Sequence, residues 1–586
     1  MFYLYVTLLA TLSPWSLKAD HCPVCLVPFQ GRSLAPVIVK AQCCGHRFDL
    51  DCVSKCFSGQ PIGSRQCAMC RQNPTPMVNQ NTSESHPDTF FPDLTFFCAC
   101  LSGDLDQVER SLAEGVNVNA VMTHDFTALM LAAKNGNKAV VERLINAGAN
   151  LDGAACSTAN SPLFIATREN NIDCVKLLIN AGADLNARSE GGATSLAIAA
   201  QENNIDCLKL LIKAGADVNA VSSDGDTPLF IAAQRNNTDC LQLLINAKAD
   251  VNSVRTSDGA TPLFIAAWKG NSDCVEILIE AGADLNTARI TDAATPLFAA
   301  AAKGNTDCVK RLINAGADVN AALSPDGDTP LFIAAQENNT DCVKLLINAG
   351  ANINARVENG STPLFIAAQK GNTDSLITLI GAGADLNAAR ITDAATPLFA
   401  AAARGNTDCV KRLINAGADV NTLPTLDGAT PLFIAAWKGN SDCMEILIKA
   451  GADLDARTED SATPLYIAAQ EGYTDCVQLL IDAGANLNTP LTSDGSTPLF
   501  IAAAIGNTYC MKALIKAKAN LDTRTKNGAT PLYIAAGEGN TDCVKLLINA
   551  GADLNARTKT GATPLFIATA MGNTDCVELL INAGAE

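Results

Sequence analysis

Cysteine crowds the stretch between residues 22 and 70. It reads Cys22-Pro-Val-Cys25, then Cys43-Cys44-Gly-His46-Arg-Phe-Asp49-Leu-Asp-Cys52, then Cys67-Ala-Met-Cys70-Arg71. Two Cys-x-x-Cys pairs enclose a Cys-x-His and a further Cys. Thiolates and an imidazole at these spacings suit tetrahedral zinc, and short chelating pairs lower the entropy of assembling a site. The stretch has few aliphatic anchors, so bound metal would supply much of its folding energy. The alternative is a reduced, cysteine-rich segment without metal.

Behind this stretch stands a long periodic array. A leading Thr, once Ser, recurs at 127, 161, 194, 227, 261, 295, 329, 362, 396, 430, 463, 497, 530 and 563, in steps of 33 or 34 residues. A fixed period of this size marks a stacked solenoid. In the copy from Thr329, the Thr suits a helix N-cap and Pro330 the first helical position. Leu331, Phe332, Ala334 and Ala335 make a short helix with a small face. Asn339-Thr340-Asp341 caps a second helix and places a carboxylate near its positive end. Cys342, Val343, Leu346 and Ile347 share one face of it. Gly350 supplies the left-handed residue that ends it. The next seven to ten residues, rich in Asp, Asn, Gly and Ser, read as a turn or finger. No single unit buries its apolar face, so neighbours must stack.

This unit resembles the ankyrin repeat. The matching words are Thr-Pro-Leu, Ala-Ala, Gly-Asn, Leu-Leu-Ile, Ala-Gly-Ala-Asp and Leu/Val-Asn-Ala, recurring in register over 93–586. The resemblance implies an all-α repeat solenoid of helix pairs with β-hairpin or turn fingers, and a protein partner on its concave face. One departure concerns coupling. The family usually places His after Thr-Pro-Leu. Here that site is Phe ten times, Tyr at 466 and 533, Ala at 197 and Met at 130, which predicts a more apolar coupling. Leu94–Glu114 reads as a degenerate first helix pair, anchored by Phe90, Phe91, Phe96 and Phe97. The last repeat stops at Ala583-Gly-Ala-Glu586 without a polar cap, the mark of either a continuing chain or a self-associating end.

The cysteine stretch resembles a RING finger, a small α+β module holding two zinc ions in a cross-brace. Carried over by that resemblance, one zinc takes Cys22, Cys25, Asp49 and Cys52, and the other Cys44, His46, Cys67 and Cys70. Val24 falls where the family offers an apolar contact to a ubiquitin-conjugating enzyme. Arg71 falls at the place of its linchpin cation, and Phe48 matches its usual aromatic. Two departures weigh against ligase activity: Asp49 replaces a Cys or His ligand, and Cys56 stands where many active members have Trp. Cys43 and Cys56 are spare sulfurs that leave the third and fifth ligands open to reassignment.

The implied organisation is an apolar leader at 1–20, a RING-type zinc finger at 21–72, a linker at 73–92 and the array at 93–586. Residues 1–17 carry no charge. They are short for a spanning helix, lack a basic residue ahead of the run and contain Pro14, so secretion and membrane association stay open beside a plain apolar leader. Any membrane contact would come through this segment. The net charge of −18 argues against non-specific nucleic-acid binding, which needs many cations along phosphates. Twelve of 23 cysteines sit at one repeat position: 174, 207, 240, 274, 308, 342, 409, 443, 476, 510, 543 and 576. Stacked helices lie roughly 8–10 Å apart, too far for a disulfide between equivalent residues. They read as buried apolar residues. So many reduced thiols fit the cytoplasm.

The shared positions must be buried, so the variable ones face outward. The fingers vary most, with arginine at 188, 255, 289, 356, 457, 524 and 557. The pair after Ala-Ala also varies, as Trp268-Lys269, Gln336-Glu337, Gln369-Lys370 and Trp437-Lys438. By the ankyrin resemblance both sets line the partner-binding face, and Trp268, Lys269, Trp437, Lys438, Arg188, Arg356 and Arg457 are candidate contacts. Residues 289–320 nearly repeat at 390–421, and 258–285 at 427–454, which points to recent duplication. The array holds no catalytic constellation. Two readings follow. In one, the array holds a substrate protein while the zinc module recruits a ubiquitin-conjugating enzyme, as in a RING-type ubiquitin ligase. In the other, the chain is a non-enzymatic zinc-binding adaptor, or an effector secreted into a host cell.

Overall fold

A computed structural model describes residues 93–586 except 122–125, 154–159, 323–325 and 423–426; before residue 93 it describes the backbone of four short strands. These are β1 (Ile38–Ala41), β2 (Arg47–Asp49), β3 (Met77–Asn79) and β4 (Ser85–His86), in the order β2-β1-β3-β4. All pairs are antiparallel, with Val39 opposite Phe48 and also opposite Asn79. β3 and β4 fall within the 73–92 span whose composition reads as a linker.

Among the described residues the rest is thirty helices in pairs, with turns between them. The chain divides into two compact units, Met1–Ala266 with Asp273–Asp284, and Ala267–Ser272 with Leu285–Glu586. In the first, Asp93 caps helix Leu94–Ser102 by accepting from the N–H groups of Thr95 and Phe96. Phe96 and Phe97 are buried there, ring edge to face at 5.9 Å. Helices Leu94–Ser102 and Leu105–Ala113 stand where the sequence predicts a starting pair; of its anchors, Phe90 and Phe91 lie outside the described residues.

Each repeat is built as its sequence requires. In all fourteen, the leading Thr or Ser side-chain oxygen accepts the N–H three residues on, at 3.1–3.4 Å. The paired alanines are fully buried, for example Ala334 and Ala335, and let neighbouring first helices approach closely. The second helix turns Cys342, Val343 and Leu346 inward, all 0–1% exposed. Gly350 adopts φ 87°, the left-handed geometry expected at that end.

One expectation fails. Asn339 stands at the N-cap of the second helix, but its side chain makes no capping bond. Its amide instead donates to the carbonyls of Ala301 and Ala302 in the preceding repeat, at 2.8 and 3.1 Å. Those carbonyls end helix Pro296–Lys303, where the Ala301 carbonyl also accepts from the Gly304 N–H at 3.3 Å. The same double bond recurs from Asn137, Asn171, Asn204 and Asn237 in the first unit. In the second unit it recurs from Asn305, Asn372, Asn406, Asn440, Asn507, Asn540 and Asn573. Asn serves here as a staple between repeats. Tyr473 takes this place in one repeat, is 38% exposed and lays its ring against Gly439.

A second polar thread runs through the Ala-Asp-Leu-Asn turns. Asn320 Oδ1 accepts the N–H of Asn352 in the next repeat at 2.8 Å. Asn352 Oδ1 then accepts from Asn354, and Asn354 Oδ1 from Asp385. The first unit shows the same thread through Asn186, Asp217, Asn219 and Asp250. The predicted apolar coupling is thus only half of the coupling. Phe230, Phe264 and Phe365 are buried at the position after Thr-Pro-Leu, while two sets of Asn and Asp side chains tie the backbone of one repeat to the next.

Of the two finger forms expected, the described residues take the turn. Among the described residues several fingers meet the next through single main-chain bonds, such as Glu358 N–H to Asp326 O at 2.7 Å and Ile391 N–H to Asn359 O at 3.0 Å. Gly360, at φ 83°, permits this: a Cβ there would stand on the Ile391 backbone nitrogen.

The repeat cysteines are buried thiols, as expected. Burial, reinforced by the preceding Asp carboxylate, pushes Cys174, Cys207, Cys240, Cys476 and Cys543 up to about 11. Thiolates are the reactive form, so these groups should resist alkylation in the native chain. Cys98 is exposed. Brief maleimide labelling followed by peptide mapping should modify Cys98 and leave these five intact until denaturant is added. Modification of Cys342 as fast as Cys98 would contradict this packing.

Candidate partner-binding face

The first helices end, and the fingers turn back, on one side of each repeat. In the second unit the two sets meet around a cavity of about 570 Å³. Phe332, Gln336 and Gln369 come from first helices; Asp326, Glu358 and Arg390 come from fingers. The sequence-based inference that fingers and post-Ala-Ala residues share a face holds here. A second cavity of about 430 Å³ shares Gln369 and Arg390 with the first and adds Phe365, Phe399, Arg404 and Lys438.

The candidate contact residues divide into two groups. Trp268 is half-buried between cations, with Lys303 Nζ 4.3 Å and the Arg289 guanidinium 5.6 Å from its ring. Trp437 is 44% exposed and has only its neighbour Lys438 over it, at 4.5 Å. Lys269, Lys438 and Arg457 are exposed. Arg188 and Arg356 instead tie fingers together. Arg188 donates to the Val221 carbonyl, and Arg356 to those of Ala389 at 2.6 Å and Gly360 at 3.1 Å. Sequence alone does not reveal this use, because the acceptors are main-chain oxygens one repeat away.

Other finger arginines form internal clamps. Arg289 binds both oxygens of Asp292 at 2.9 and 2.5 Å, and Arg390 binds Asp393 in the same way. These bonds hold the carboxyls of Asp292 and Asp393 below the usual range. The resulting stabilisation is complete above the unfolded carboxyl pKa and is lost as pH falls through the lower folded value. Arg390 also stacks 4.9 Å over Phe365. The duplicated fingers end in Ile290 and Ile391, 77% and 70% exposed. In the first cavity, burial and then the neighbouring Asp326 raise the Asp328 carboxyl.

The zinc-ligand candidates Cys22, Cys25, Cys44, His46, Cys52, Cys67 and Cys70, with Val24 and Arg71, lie outside the described residues. Of Asp49 only the backbone is described, at the end of β2. Among the described residues no three His, Cys, Asp or Glu side chains converge as a metal site, and no helix is long and apolar enough to cross a membrane.

Stacked helix pairs, turn fingers and a repeated Thr-Pro-Leu cap define a repeat scaffold, and the family comparison agrees. A model of ankyrin repeats, three copies long, matches residues 96–189, 196–289, 297–390, 364–458, 454–525 and 500–586. The chain belongs to the ankyrin-repeat family. It is also similar to the ankyrin repeat-containing protein YIL001W of Saccharomyces cerevisiae, at 40% identity over 74 residues. That match spans 12% of this chain and 14% of the yeast protein.

Proposed function

We propose that this chain is a protein-interaction scaffold whose finger and first-helix face holds a partner protein. The reading includes a cytoplasmic RING-type zinc module at residues 21–72 that brings a ubiquitin-conjugating enzyme to that partner. The convergence of Gln336 and Gln369 with finger residues on one cavity supports the first half. Panning a random peptide library on the full chain should return binders that a Gln336→Lys/Gln369→Lys variant no longer holds. Binders indifferent to both changes would remove this face from the reading.

The second half rests on the donor set. Six thiols, one imidazole and one carboxylate fit two tetrahedral zinc sites. Zinc would supply folding energy to the module and no nucleophile. Metal analysis of the full chain should give two zinc ions. Autoubiquitination with a panel of conjugating enzymes should proceed, and a Cys67→Ser/Cys70→Ser variant should lose it. Bound zinc without activity toward any enzyme of the panel would favour the adaptor reading, which Asp49 and Cys56 already support. One zinc or none would refute the cross-brace.

A further inference from the structure

The chain is strongly acidic, yet one position in its first helices turns basic over three consecutive repeats twice, at Arg235, Lys269 and Lys303 and again from Lys370. The second residue after Ala-Ala is Lys370, Arg404 and Lys438 in succession, bounded by Glu337 before and Glu471 after. All three cations are exposed. Helix ends favour cations there. That does not account for the run, because Glu337, Glu471, Ile505, Glu538 and Met571 hold the same position in their own repeats.

The run borders a built pocket. Phe365 and Phe399 wall the 430 Å³ cavity, and Arg404 and Lys438 stand on its rim. Arg390 also lines it, but its guanidinium is clamped on Asp393 and stacked over Phe365. Arg404 and Lys438 meet no carboxylate among the described residues; Lys438 lies only over Trp437. An apolar wall beside two uncompensated cations fits an apolar side chain followed by a carboxylate.

We propose that this pocket takes an acidic, extended segment of a partner protein. An apolar side chain enters the cavity that Phe399, Ala400 and Ala403 help to line, and flanking carboxylates lie on Arg404 and Lys438. This rests on the partner-binding reading of the same face and names the chemistry it selects. Neighbouring repeats lie roughly 10 Å apart, which an extended peptide spans in about three residues. Alternate residues on one side of the peptide stand about 7 Å apart, and the long, flexible Arg404 and Lys438 side chains cover the difference. The adjoining cavity restricts the ligand further. Asp326, Asp328 and Glu358 line it, so a long uniform polyanion such as a nucleic-acid strand would run from cations into carboxylates. A short acidic stretch avoids them.

The test uses the full chain and a labelled, end-blocked peptide of alternating glutamate and leucine, beside its glutamine counterpart and a twelve-nucleotide oligothymidine. Fluorescence anisotropy at low salt should show the glutamate peptide binding at least tenfold more tightly than the glutamine peptide, with affinity falling as salt rises. Arg404→Glu/Lys438→Glu should weaken it at least tenfold with an unchanged thermal melt. Arg235→Glu, at the same repeat position in the other unit, should leave it unaltered. Equal binding of both peptides, indifference to the charge reversal, or tighter binding of the oligonucleotide would each overturn the proposal. If library-derived binders are lost with Gln336→Lys/Gln369→Lys while acidic peptides gain nothing, the scaffold reading stands and the acidic preference falls.

Discussion

Replacing Leu346 with alanine is expected to cost about 2–5 kcal/mol of stability. Leu346 is fully buried on the second helix of its repeat, beside Cys342 and Val343. Removing its branched end leaves a cavity that rigid flanking helices fill only in part. The damage should stay local, because each repeat of a solenoid touches only its neighbours. Urea unfolding should show an early transition that the parent chain lacks. Hydrogen exchange should accelerate between about residues 296 and 395 and remain unchanged beyond 497. A loss below 1 kcal/mol, or a uniform rise in exchange along the array, would count against this packing.

Asn339→Ala removes two hydrogen bonds that cross from one repeat to the next, leaving the Ala302 carbonyl without that donor and the Ala301 carbonyl with the Gly304 N–H. The cost should be about 1–3 kcal/mol. Asn339→Asp separates a staple from an N-cap. Aspartate caps helices as well as asparagine does, but it has no N–H to donate, and its carboxylate would face two carbonyl oxygens. It should therefore destabilise at least as much as alanine. If Asp restored stability, the capping role would be the right one after all. The reverse experiment is available at Tyr473, where the staple is missing. Tyr473→Asn should stabilise by about 1 kcal/mol, read as a higher urea midpoint of the flanking repeats.

The period, the helix pairs, the Thr caps, the Gly ends and the burial of cysteine were all legible in the chain, because each follows from local residue chemistry repeated many times. The staple was not. An Asn at the start of a helix satisfies the rule for a cap, and its true acceptors lie 37 and 38 residues back. Two signs were present: the Asn keeps its place from repeat to repeat while the Thr or Ser after it changes to Ile or Lys, and Tyr473 interrupts it. The bonds of Arg188 and Arg356 were hidden for a similar reason. Variable, charged finger residues look like contacts for a partner, whereas the acceptors they find are carbonyls of the adjoining finger. At Trp437 the expectation of an outward-facing side chain agrees with its 44% exposure.

The Asn and Asp thread has a consequence for how such a chain changes length. Each rung joins a main-chain N–H to a side-chain oxygen of the repeat before, as from Asn352 to Asn320 and from Asp419 to Asn387. The joint carries no information about which repeat stands on either side. A whole period can therefore be copied or excised without any new surface having to be invented, provided the cut keeps the frame of 33 or 34 residues. The near-copies at 289–320 and 390–421 are what such splicing leaves behind. The thread acts as a standard connector, so selection is free to rewrite fingers and helix ends one repeat at a time.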